Sequence, residues 1–312
     1  MENKPTKFIL DTDIGPDVDD AAALYIANLC VNRGDAELLC VTHCTSNPYG
    51  VGAIRAINQW CGNPDIPVGT LKKQGFLDGD ECQKYNKALA GMVRPEQRES
   101  EDSVRVLRRT LAEQSDNDVI MIAIGPLVNI ADLLTSESDD ISPLSGRELV
   151  KQKVHSLYLM AGCFDQNAPS PWTPDHKPVE HAIEWNILMD VPAGKEVIRS
   201  WPTPIVFGGS EIGNWVITLK DTSILPEDCP VRLAYDLYTQ GAGRMSWDLL
   251  VVYKAMDPNC TCVTLSEAGT ARIEDDGYMD FSAAECGKHY YMKLTDSDEN
   301  VAEVLNQYLA RG

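Results

Sequence analysis

The stretch FILDTDIGPDVDDAAAL, residues 8–24, decides how the rest of the chain is read. An apolar run ends abruptly in five aspartates, Asp11, Asp13, Asp17, Asp19 and Asp20. Four consecutive apolar or small residues then restart a helical pattern. An apolar run of this length, bounded by polar residues, reads as a strand buried on both faces. The acids therefore lie at the carboxyl end of a buried strand and the start of a helix. A helix N-terminus favours nearby carboxylates by roughly 0.3–1 kcal/mol each, which accounts for two or three of them but not five.

Similar runs recur at residues 37–43, 118–125, 155–162 and 204–209, beside the first at 7–11. Helical patterns fall between them at 20–31, 50–60, 103–114, 126–134, 147–153 and 192–200. Ser145 and Glu148 have capping-box spacing, and Asp190 precedes Pro192 at another helix start. This alternation predicts an α/β fold: a mostly parallel, Rossmann-like central sheet with helices on both faces. Residues 72–102, 164–178 and 224–230 read as polar connections, and none is biased enough to be a linker. From Cys262 onward the pattern suggests added strands before a last helix at 300–309. The expectation is one domain, 1–312. In such sheets ligands bind beyond the carboxyl ends of the strands, where the aspartates lie.

Forty-seven Asp and Glu against 27 Lys and Arg give a net charge of −20. That balance argues against nucleic acid or an anionic membrane as partner, since either needs a basic face. Residues 1–10 hold too short an apolar run for a signal peptide, and no stretch approaches the ~18 apolar residues of a membrane span. Ten cysteines lack paired zinc-type spacing and read as reduced. A cytoplasmic protein is expected.

A hard divalent cation such as Ca²⁺ or Mg²⁺ would relieve the repulsion among the acids, because carboxylates offer the all-oxygen shell it prefers. The spacing is not that of an EF-hand loop. A phosphatase of the haloacid-dehalogenase type also opens with strand–Asp-x-Asp, but Ile14-Gly15-Pro16 fits that pattern poorly.

Asp-Thr-Asp-x-Gly followed by Asp-Asp-Ala resembles the inosine-uridine-preferring nucleoside hydrolases, and further segments agree in order. VTHCTSNPYG resembles the family's second-strand segment and places Asn47 at the ribose. In AIGPLVNIADLL the resemblance gives Ile124 a backbone carbonyl directed to calcium. HAIEWNILMDVPAG matches Glu184 and Asn186 to a ribose-binding pair, and SWDLLVVYKAMDP matches Asp248 to the last calcium ligand. The resemblance runs from Phe8 to Pro258.

It implies a nucleoside hydrolase fold in which Asp13, Asp20, the Ile124 carbonyl and Asp248 hold Ca²⁺. Asp13 would be the general base, and Asp19, Asn47, Glu184 and Asn186 would grip a small-molecule nucleoside. The implied reaction is hydrolysis of an N-glycosidic bond, purine-leaning, by a homodimer or homotetramer. The alternative is a non-catalytic ribosyl-binding protein that keeps the metal site, or a hydrolase of a different N-ribosyl compound. On residue chemistry alone, Asn47-Pro48 is also a common turn dipeptide and Asn186 a common cap.

The chain departs from the family in three places. Pro16-Asp17-Val18 intervene where the family has one residue, so Asp17 rather than Asp19 could take a ribose role. Trp247 stands where base-specific members carry His before the last Asp. Trp247, Trp172 and Trp185 are candidates to stack on the base, and His43, His176 and His181 are candidate acids. Pro178 replaces the Asn expected to recognise a 5′-hydroxyl, leaving Glu180, Asn167 or Glu211 as substitutes.

Overall fold

The computed structural model describes residues 5–257 and 260–311. Among these, eleven strands form one sheet. From edge to edge its path runs Met279–Ala283, Gly269–Ile273, His289–Leu294, Ile205–Gly208, Val154–Met160, Val119–Ala123, Thr6–Thr12, Ala36–His43, Val68–Thr70 and Glu101–Asp102. Val263–Leu265 pairs antiparallel to His289–Leu294. Pairing is parallel from His289–Leu294 through to Glu101–Asp102 and antiparallel in the C-terminal strands.

Thr6–Thr12 sits mid-sheet between Ala36–His43 and Val119–Ala123. The chain winds outward one way from it, then returns to wind the other way. That reversal makes a topological switch point, the place where a crevice opens at strand carboxyl ends. Asp13 follows one of the two strands there and Ile124 the other.

Alternate residues of the first strand face opposite apolar layers. Phe8 and Leu10 join helices Asp19–Asn32, Gly50–Trp60, Pro230–Thr239, Trp247–Met256 and Asp298–Leu309. Ile9 faces Ser103–Ala112, Val128–Thr135, Gly146–Lys153 and Val191–Ser200. Burial on both sides is why these strands carry unbroken apolar runs. The expected α/β architecture with helices on both faces is present. The Ser145–Glu148 capping box forms, and Asp190 caps the next helix by accepting from Ala193 N at 3.1 Å.

Two sequence readings need correction. The connection at 72–102 contains a short helix, Asn86–Ala90, and ends in the edge strand Glu101–Asp102. Helices Pro230–Thr239 and Trp247–Met256 were not anticipated. Leu249 to Val252 are wholly buried, so that second helix shows no polar face from which a helical period could be read. Among the described residues no helix is long and apolar enough to cross a membrane. Pro258, the end of the resemblance, lies outside the described residues.

Candidate active site

Beyond the strand ends lies a cavity of about 550 Å³. Its floor is acidic: Asp13, Asp19, Asp20 and Asp248 are each at most 4% exposed. Asp13 directly follows the first strand, Asp19 and Asp20 open helix Asp19–Asn32, and Asp248 lies in the first turn of helix Trp247–Met256. Two helix N-termini thus point positive ends at the carboxylates. Thr12 Oγ1 donates to Asp20, and Asp248 N donates to Asp19 Oδ2 at 3.1 Å.

One carboxylate oxygen from each of Asp19, Asp20 and Asp248 lies within 4.8 Å of the others. This differs from the ligand set implied by the resemblance, which had Asp13 in place of Asp19. Asp13 instead follows the first strand and lies beside Asp19 and Asp20, whose carboxylates act on its own.

Burial pushes Asp13 up to about 8, helped by the charges of Asp19 and Asp17. Burial likewise raises Asp19, Asp20 and Asp248 well above the carboxylate range, each reinforced by the neighbouring acids. Buried like charges of this kind are stabilised by a cation. The oxygen-only donor set, closed to one ion's reach, fits a hard metal ion.

Gly125 permits the close approach of the two central strands. A Cβ there would lie 2.7 Å from Asp13 Oδ1 and 2.7 Å from Cys44 Sγ. Next to it, the Ile124 carbonyl accepts from Asn186 Nδ2 at 3.2 Å, and Met160 O accepts from the same amide at 3.1 Å. Glu184 caps the short helix Trp185–Met189, taking hydrogen bonds from Asn186 N at 2.7 Å and Ile187 N at 3.1 Å. Burial lifts its carboxyl to about 7. Ile124, Glu184, Asn186, Trp172, Trp185 and Trp247 all line the cavity with the four acids.

Asp17 also lines it, paired with Arg244, whose Nε lies 2.8 Å from Asp17 Oδ1. Tyr85 and Tyr238 donate to the carbonyls of Asp17 and Pro16, at 2.7 and 3.2 Å. The extra residues before Asp19 are therefore a braced turn. Arg244 packs at 5.1 Å from Trp247, 5.6 Å from Tyr238 and 5.7 Å from Trp172. Sequence reading missed Arg244, and only its place three residues before Trp247 could have flagged it. It missed Asn214 as well, which with Ser210 O accepts the Trp247 indole N–H at 3.1 and 2.9 Å. That lock leaves Trp247 a ring face to present and no free donor.

Several candidates lie elsewhere. Asn47 is a brace: its Nδ2 donates to Cys82 O at 3.0 Å, and its Oδ1 accepts from Tyr49 N and Asn86 Nδ2. It does not line the cavity. His43 is wholly buried between Thr70 and Thr45. His176 and His181 pack edge-on against Trp215 and Tyr278. Glu211 accepts from Phe164 N at 3.2 Å beside the cavity, and burial raises it to about 7. Glu180, Asn167 and Pro178 are exposed outside it.

The match to a family of hydrolases over most of the chain makes it an enzyme that hydrolyses N-glycosyl compounds. The chain belongs to the inosine-uridine preferring nucleoside hydrolase family, whose model matches residues 8–291. It is similar to the inosine-uridine preferring nucleoside hydrolase of Bacillus anthracis, at 17% identity and TM-score 0.69 over 98% of this chain and 99% of that one. It is also similar to the purine-preferring ribonucleoside hydrolase of Gardnerella vaginalis, at 20% identity and TM-score 0.72 over 98% of each chain. A third similar structure is the type III effector protein XopQ complexed with adenosine diphosphate ribose, at 14% identity and TM-score 0.71 over 99% of this chain and 93% of that one. No curated protein matches the chain in sequence.

Proposed function

We propose that the protein hydrolyses the N-glycosidic bond of ribonucleosides, with purines preferred, in a Ca²⁺-dependent reaction that yields ribose and free base. The observation that carries this reading is the trio of buried carboxylates, Asp19, Asp20 and Asp248, within 4.8 Å of one another at the floor of an aromatic-walled cavity. Those three, with Asp13 and the Ile124 carbonyl beside them, would hold the ion. Ca²⁺ suits the site better than Mg²⁺ because it accepts about 6–8 oxygens in flexible geometry, which admits a sugar diol. When bound, the ion would supply Lewis acidity toward water and the ribose hydroxyls.

Asp13 acts as general base on the attacking water, within reach of the cluster but outside the carboxylate trio. Glu184 and Asn186 orient the ribose from the opposite wall, and Asp19 reaches it from the floor. As the glycosidic bond breaks, positive charge develops on the ribosyl ring. The surrounding carboxylates favour that charge without reorganising, since both helix starts hold them fixed. Trp247 offers its locked ring face to the departing base; stacking of this kind supports a purine preference.

We take residues 1–312 as one domain and the working form as a cytoplasmic homodimer or homotetramer. The continuous eleven-stranded sheet supports the first point, and ten free cysteines suit a reducing compartment.

The test is release of reducing sugar from a ribonucleoside panel, with EGTA, with added Ca²⁺, and with Asp13→Asn. Turnover should vanish in EGTA and return with Ca²⁺, and Asp13→Asn should lower kcat by about 10²–10⁴. Turnover indifferent to chelation, or absent for every ribonucleoside, would sink the proposal.

A further inference from the structure

The same cavity carries information about the leaving group. Besides its buried acidic floor, its lining includes large apolar side chains open to solvent. These are Trp172, Val179, Trp185 and Leu188, at 66%, 36%, 41% and 48% exposure. All four belong to the set of large hydrophobic side chains left in solvent among the described residues, and the rest of that set does not line this cavity. Apolar surface gathered on one rim, unlike single exposed residues, marks a place where something apolar binds.

The rim is built in advance. Residues 164–183, which carry Trp172 and Val179, are tied to the rest of the fold by contacts that include the following. Trp215 Nε1 donates to Pro169 O at 3.2 Å, His176 packs on Trp215 with ring centres 4.7 Å apart, and His181 packs on Tyr278 at 4.7 Å. Trp185 and Leu188 are one turn apart on the helix Trp185–Met189 and so share a face. From the same turn Asn186 reaches the Ile124 and Met160 carbonyls. One short helix, capped by Glu184, thus joins the sugar end of the cavity to its apolar rim.

Charge at the rim narrows the ligand further. Arg244 is the one cation among the lining residues, but Asp17 neutralises it through Nε at 2.8 and 3.1 Å. Its guanidinium carbon also lies 5.1–5.7 Å from the rings of Trp172, Tyr238 and Trp247. No uncompensated positive charge awaits a phosphate or carboxylate. A volume of about 550 Å³ also lies within the ~300–1,000 Å³ range of pockets that enclose drug-sized ligands.

We propose that the substrates are N-ribosides whose aromatic aglycone bears a neutral apolar extension, seated between Trp172, Val179, Trp185 and Leu188. This rests on the hydrolase reading above and names the substrate class of that same site. The extension leaves water as the ring enters, so it strengthens binding without touching the bond that breaks.

The test compares adenosine with two derivatives carrying a benzyl group, one at N6 and one at C2. The Ca²⁺-loaded protein is followed by kcat/KM and the Asp13→Asn variant by calorimetric Kd. At least one derivative should bind about tenfold or more tightly than adenosine, the scale a filled apolar pocket supplies. Trp172→Ala and Leu188→Ala should each cut that preference by roughly threefold or more. Adenosine hydrolysed with no preference in Kd or kcat/KM overturns the apolar subsite and spares the hydrolase reading. Tighter binding of a derivative with no hydrolysis of any compound does the reverse. Absence of both binding and hydrolysis for all three compounds overturns both readings.

Discussion

The backbone N–H of Asp248 donates to the Asp19 carboxylate at 3.1 Å, joining two helix starts 229 positions apart in the chain. The bond fixes one acid relative to the others, yet it draws like charges together inside the protein. Asp19→Asn keeps an acceptor for the N–H and removes a charge. In EGTA this variant should therefore melt above wild type, by about 2 °C for each kcal/mol of repulsion relieved. In millimolar Ca²⁺ the order should reverse, because the ion loses a ligand. Asp19→Ala leaves the Asp248 N–H unpaired and should fall about 1–3 kcal/mol below Asp19→Asn. Melting scans with and without Ca²⁺ check all three; equal Ca²⁺ responses in Asp19→Asn and wild type would remove Asp19 from the ligand set.

Gly125 predicts a purely geometric defect. The methyl of Gly125→Ala would meet Asp13 Oδ1 at 2.7 Å and Asp13 N at 2.9 Å. Relieving such overlap costs about 1–3 kcal/mol in a packed interior. The neighbour that must move is the proposed base, and misplacing a catalytic group by about 1 Å can cost 10²-fold in rate. Steady-state kinetics should show kcat down by about that factor with KM changed much less, while circular dichroism stays native. A variant with full kcat would show that the Asp13 position is not what limits the reaction.

How far the sequence foretold these features follows from how local each one is. The buried strands and the helices between them were readable because apolar runs and caps such as Ser145–Glu148 are written over a few consecutive residues. Asp19 and Asp20 were readable for the same reason, lying side by side at a strand end. Asp248 carries no local signal, and only the resemblance to a family placed it with the others. Helix Trp247–Met256 buries the four consecutive residues Leu249 to Val252 because it is packed against helix Asp19–Asn32 and the sheet, so its period was invisible. The ion pair of Asp17 with Arg244 and the ring contacts of His176 and His181 are tertiary accidents of the fold. Residue type alone made those histidines candidate acids, and the resemblance made Asn47 a ribose ligand; their partners in space make them braces.

The Asp17–Arg244 pair is half sheltered, with side chains 27% and 19% exposed. Arg244→Met strands the Asp17 carboxylate beside the other acids and should cost about 2 kcal/mol, as removing one member of a sheltered pair leaves a charge uncompensated. Asp17→Asn should cost less, because the arginine still lies against Trp172, Tyr238 and Trp247. In a double-mutant cycle by urea unfolding the two changes should couple by about 1–3 kcal/mol. Additive losses would show that the pair contributes nothing beyond its separate contacts.

His43 sets a pH dependence of opposite sign to that of the buried acids. Its ring is fully buried, with Nε2 3.0 Å from Thr45 Oγ1 and Nδ1 3.3 Å from Thr70 Oγ1. Burial lowers it from 6.5 to about 4. Between those values the unfolded chain binds the proton and the folded chain does not, so stability falls as pH drops through this window. The full loss is on the order of 3 kcal/mol by pH 4. Glu211, raised to about 7 by burial, works the other way and stabilises the fold as pH falls toward its unfolded value. Wild type alone would blend the two effects, whereas the difference from His43→Asn isolates the imidazole. That variant should be the less stable at pH 7.5, where it lacks the ring's packing, and the gap should narrow by more than 1 kcal/mol by pH 5. A gap that stays constant in urea unfolding at both pH values would mean that the ring titrates as it does in water.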